Sequence, residues 1–185
     1  MISGPTRTDG LRTYFGNKSD YVRNFFEKVP VLIDSSLGID IVLAYVFFRL
    51  EYGQRLILYS GVRKLHKTNS ELTWDAIETH DLKRKDFMNL FKIIYGFPIK
   101  KYAKDDLKIA EKFRDYLMHG KDIKTTQMIE AIGRVLDYSS KINEQVDQKC
   151  GFKPFSNLRG LTGAGKSLDK STSRWVLKGM GFNLD

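Results

Sequence analysis

Apolar residues recur along most of this chain at spacings of three and four, the period of helices that each bury one face. The pattern begins at Tyr21, Val22, Phe25 and Phe26, with Ser19 placed to cap a short helix and Pro30 to stop it. The longest apolar region runs from residue 37 to about residue 66. Within it, Ile41-Val42-Leu43 and Leu56-Ile57-Leu58 have strand-like composition, but the only turn signals are Gly53 and Ser60-Gly61. Length therefore favours one long helix, with those glycines as its kink positions, over buried strands. Residues 67–81 are polar and read as a loop or short helix anchored by Trp74 and Ile77.

Three further helices are predicted downstream, and a glycine closes each. The first, 82–95, is capped by Asp81 and faces inward with Phe87, Leu90, Phe91 and Ile94; Gly96 supplies the left-handed end and Pro98 prevents resumption. The second, 103–119, presents Leu107, Ala110, Phe113 and Leu117 to the core and closes at Gly120. The third starts at Asp122 or Thr125 and runs to about residue 149, with Met128, Ile132, Val135, Ile142 and Val146 pointing inward before Gly151. These signals agree on an all-α fold, an antiparallel bundle of four to five helices. Residues 1–18, rich in Gly, Thr and Arg, read as a flexible arm, and 19–150 as the bundle. Residues 151–185 form a basic, Gly/Ser/Thr-rich appendage with Phe152, Phe155, Trp175, Val176 and Phe182 as anchors.

Charge adds a partner class. The 31 lysines and arginines outnumber 22 acidic residues, giving +9, an excess suited to a polyanion or an anionic membrane face. The single cysteine, Cys150, excludes an internal disulfide framework and a zinc site built on several cysteines, and a reducing, cytoplasmic setting is the simplest expectation. Residues 1–10 have no apolar core, so no secretory signal is expected. The most apolar run, 41–48, lies between Asp40 and Arg49 and is far too short for a span, so no membrane partner is expected.

Candidate chemistry gathers at the end of the 103–119 helix, where Arg114-Asp115-Tyr116-Leu117-Met118-His119 precedes Gly120. This string resembles the Arg-x4–6-His motif of the HEPN superfamily (higher eukaryote and prokaryote nucleotide-binding domains), with Asp115 in the polar slot after the arginine. The resemblance implies a HEPN-like helical bundle in one of two states. One is a homodimeric, metal-independent endoribonuclease of toxin, antiviral or RNA-processing settings; the other is a catalytically inactive module that binds RNA or a protein partner, an antitoxin among them. A toxin branch of that family carries a tyrosine two positions after the histidine; Lys121 stands here, so regulation by modifying that tyrosine is not implied.

Residue chemistry fits the first state. Histidine suits acid–base work near neutrality, and would move protons at the 2′-hydroxyl and the leaving 5′-oxygen. Arginine contacts two phosphate oxygens at once and would stabilise the charge built up during transfer. Asp115 and His119, four apart, share a helical face on which the carboxylate can orient the imidazole. Lys108, Lys112 and Lys121 stand beside His119 and would bind flanking phosphates. No cofactor or metal is expected, and DNA, lacking the internal nucleophile, should resist cleavage. At about 100° per residue, Arg114 and His119 lie about 140° apart. Either the helix loosens at His119 or a second copy completes the site. The same cluster also has a plain structural use, because cations near a helix C-terminus meet the negative end of its dipole.

Two other signals rank lower. Gly160-Leu161-Thr162-Gly163-Ala164-Gly165-Lys166-Ser167 spells a phosphate-cradling loop, but no buried strand precedes it as such a loop requires. His66 and His80 lie in polar surroundings without ligand spacing and read as solvated. Trp175 and Phe182 are candidates either to stack bases or to dock the appendage.

Overall fold

The computed structural model describes residues 4–155, 158, 161 and 165–184. Regular structure among these residues is entirely helical, in nine helices with no strand. The chain divides into two compact units, Met1–Glu51 with Lys100–Phe155, and Tyr52–Ile99 with Ser156–Asp185. This replaces the expected single bundle with an appended tail. One helix, α4 (Ile39–His66), contributes to both units and runs unbroken through Gly53 and Gly61.

Unit one holds α1 (Thr8–Gly16), α2 (Asp20–Phe25), α3 (Val29–Asp34), the first half of α4, α7 (Lys101–Met118) and α8 (Thr125–Cys150). On α8, Ile132, Val135, Ile142 and Val146 are fully buried as their spacing predicts, whereas Met128 is only half-buried. An ionic network sets α7 against it. Asp106, 3 % exposed, accepts from Arg134 Nη1 at 2.8 Å and from the Lys141 ammonium. The Asp106 bond in turn raises the already high pKa of Arg134. At the N-terminal cap of the same helix, the Lys100 N–H donates to Gln145 Oε1 at 3.1 Å.

Among the described residues 4–18, the expected flexible arm is largely helical. Thr8–Gly16 is helical, Leu11 and Phe15 are buried, and the Tyr14 hydroxyl donates to the Asp137 carboxylate at 2.7 Å. Burial first, and this bond second, push the phenol well above its usual range. A glycine inside α8 permits the approach: a Cβ on Gly133 would lie 3.0 Å from Pro5 Cδ and 3.7 Å from the Tyr14 ring. Pro30 also does more than stop α2. It occupies the first turn of α3, where its missing N–H has no helical acceptor to lose.

Unit two combines the second half of α4 with α5 (Ser70–Glu78), α6 (Arg84–Tyr95) and α9 (Lys170–Met180). Phe87, Leu90, Phe91 and Ile94 of α6 are buried as predicted. Gly61 marks where α4 and α6 meet: a Cβ there would sit 2.6 Å from Ile94 Cγ2 and 2.7 Å from the Tyr95 ring. The polar stretch after residue 66 contains a helix, α5, whose N-cap Asn69 accepts from the Leu72 N–H at 3.1 Å. The appendage likewise contains one. Asp169 caps α9 by accepting from the Thr172 N–H at 2.9 Å, and the Thr172 hydroxyl is the main reason its carboxyl lies below the usual range.

Neither histidine of this unit is merely solvated. His66 Nε2 lies 2.9 Å from the Ile94 carbonyl, and the His80 ring packs edge-on to Phe182 at 5.5 Å. Gly160, Thr162, Gly163 and Ala164 of the phosphate-loop-like string lie outside the described residues. Among the described residues no helix is long and apolar enough to cross a membrane.

Candidate functional site

The site begins where α7 stops. His119 is the first non-helical residue (φ −95°, ψ 16°), and Gly120 takes the left-handed conformation (φ 63°). The Gly120 N–H donates to Leu117 O at 3.1 Å and the Lys121 N–H to Tyr116 O at 2.9 Å. These paired reverse bonds form a Schellman closure, which satisfies carbonyls the helix would otherwise leave open. The imidazole is thereby carried on an ordered helix end rather than a loose loop. Its side chain is exposed and makes no hydrogen bond among the described residues.

The helix also leaves the core as it approaches the motif. Leu107 and Ala110 are buried, but Phe113 and Leu117, expected inside, are half-buried, and Met118 is 75 % exposed. Packing ends before the helix does, so the last turn is presented rather than enclosed.

Arg114 occupies a different setting. Its Nε and Nη2 donate to Asp115 Oδ1 at 3.0 and 2.8 Å, and Nη1 lies 3.9 Å from Glu51 of α4. The guanidinium also sits 5.0 Å from the centre of the Phe47 ring, a cation–π arrangement that orients its plane. Asp115 is therefore engaged with the arginine, and no side-chain bond joins it to His119 among the described residues. The i,i+4 pairing foreseen for these two requires helical geometry at both ends, and His119 has left it.

The lysines gather on the exposed side. Lys112 Nζ and Lys121 Nζ lie 5.7 and 5.0 Å from the same ring, that of Tyr116. Lys108, exposed, lies one turn before Lys112 and about 16 Å of helix rise before His119. One copy thus gathers Lys112 and Lys121 about the Tyr116 ring near the helix end that carries His119, sets Lys108 further back on the exposed side of α7, and holds Arg114 with Asp115 towards α4. Sequence reasoning did not include Phe47, Glu51 or Tyr116. The first two are remote in the chain and carry no local signal, while Tyr116, inside the motif string, was open to notice.

Compared with protein-family models, with curated proteins and with solved structures, the chain matches none of them.

Proposed function

We propose that this chain is a metal-independent endoribonuclease of HEPN type that acts as a homodimer. The observation that carries the reading is an exposed imidazole on a closed helix end, five residues from an arginine already oriented by a carboxylate, with exposed Lys108 and Lys112 on the same helix and Lys121 just past its end. In the reaction, His119 moves the protons: one leaves the 2′-hydroxyl as it attacks phosphorus, one reaches the 5′-oxygen as that bond breaks. The products are a 2′,3′-cyclic phosphate and a free 5′-hydroxyl. Arg114 stabilises the charge on the non-bridging oxygens, and Lys108, Lys112 and Lys121 hold the neighbouring phosphates.

Two copies supply what one does not. Arg114 faces α4 while His119 faces outward, so the arginine of one copy serves the histidine of the other. Met118 and Phe48, 75 % and 68 % exposed on the two helices that hold Arg114, provide apolar area for that contact. A second reading, a non-catalytic module that binds RNA or a protein partner, is favoured by one feature: among the described residues no carboxylate orients the imidazole. The biological setting of the nuclease reading is that of a toxin, an antiviral effector or an RNA-processing enzyme.

Incubation of the chain with single-stranded RNA in excess chelator distinguishes the two. The nuclease reading predicts fragments ending in 2′,3′-cyclic phosphate and intact DNA of the same sequence. RNA that is bound but remains whole would support the non-catalytic module instead.

A further inference from the structure

The positive charge is not spread evenly. Unit two carries 13 lysines and arginines against 7 acidic residues, so +6 of the net +9 belongs to it. The motif on α7 lies in unit one. Unit two also holds the most exposed large apolar side chain among those described, Trp175, at 79 %.

That exposure is not the looseness of a tail. Asp169 caps the start of α9, and at its end the Gly181 N–H donates to Lys178 O and the Phe182 N–H to Leu177 O, at 3.0 and 3.1 Å. Leu177 and Phe182 are buried, and the Asn69 N–H donates to Ser173 Oγ at 2.7 Å. With the inner face of α9 docked at several points, the indole is displayed on the outer face by a helix that is held in place.

Its neighbours are small or cationic. Ser171, Thr172 and Gly179, at i−4, i−3 and i+4, flank the indole along the helix, and a Cβ on Gly179 would meet nothing within 4 Å. Lys178, at i+3, is exposed and makes no ion pair among the described residues; Arg174 and Lys166 are exposed as well. A docking surface for an apolar protein would group several exposed hydrophobic residues and exclude charge from its centre. One flat ring in a polar, cationic field instead matches a base with its phosphates.

We propose that Trp175 is a base-stacking platform for single-stranded RNA, with Lys178 and Arg174 binding the adjacent phosphates. The site lies on a different unit from the cleavage motif and gives the chain a second hold on its substrate. It rests on the reading above only for the identity of the polymer as RNA.

The test uses the full chain and a fluorescein-labelled 2′-O-methyl oligouridine of about twelve nucleotides, long enough for such a site. Methylation removes the attacking hydroxyl, so binding is read without cleavage. Anisotropy is expected to show Trp175→Ala weakening binding about 5- to 150-fold, and Trp175→Phe retaining most of the affinity. Lys178→Ala should lower the slope of log affinity against log salt by about 0.7. A chain that binds through Trp175 but never cuts RNA upholds this inference while overturning the nuclease reading. Unchanged binding by Trp175→Ala would overturn it. So would a change in sedimentation without a change in RNA affinity, which would assign the indole to a contact between copies.

Discussion

Replacing His119 by alanine is expected to slow RNA cleavage by about 10²- to 10⁴-fold, the usual contribution of a general acid–base group. The fold should be unaffected, because the imidazole is exposed and the helix end is closed by backbone bonds that alanine also makes. Circular dichroism and the melting temperature of His119→Ala should therefore match the parent within error. Arg114→Ala should cost a comparable factor, about 10²–10³, as loss of one charge-stabilising donor. Arg114→Lys should recover little of it, since an ammonium makes neither the two-toothed contact with Asp115 nor the planar approach to Phe47. Cleavage that persists undiminished in His119→Ala would remove this histidine from the chemistry.

The second large effect concerns stability. Asp106 is buried on α7 between Arg134 and Lys141 of α8, and Asp106→Ala leaves two cations without their shared carboxylate. Breaking a buried pair from one side costs about 3–5 kcal/mol. Side chains of both cations remain about 30 % exposed and regain some hydration, so the low end, about 3 kcal/mol, is expected here. At about 2–4 °C per kcal/mol for a chain of this size, the melting temperature should fall by about 6–12 °C. Asp105→Ala, one residue away and exposed, should change it little. Equal melting of the two variants would show that the network does not hold α7. Because α7 carries both Arg114 and His119, Asp106→Ala should also lower cleavage at temperatures where the parent is still folded.

Much of the helical framework was legible because long helices bury residues at regular intervals. Four inward positions foreseen on α6 are all buried, and α4 was rightly read as one helix where its composition suggested strands. Short helices were harder. α1 offers a single buried i,i+4 pair, Leu11 and Phe15, in a polar stretch, and its real signal lay over a hundred residues away in Gly133. α9 opens Lys170-Ser171-Thr172-Ser173-Arg174, a polar run that follows the N-cap Asp169 and holds only the first of the three inward residues, Ser173, Leu177 and Met180. Of the three places where the chain passes between the units, the first left no compositional boundary, because it falls inside the continuous helix α4. At the candidate site, the glycine closure was readable from local sequence. The choice of Asp115 between Arg114 and His119 was not, because it depends on where the helix releases its last residue.

The central claim is that an arginine from one copy and a histidine from another act on the same phosphate. Mixing two inactive variants, His119→Ala and Arg114→Ala, after partial unfolding and refolding together tests it most directly. Random pairing makes about half of the dimers mixed, and each mixed dimer holds one complete site of two, so about a quarter of parental cleavage should return. A mixture as inactive as either variant alone, under conditions where the parent cuts RNA, would contradict a site shared between copies.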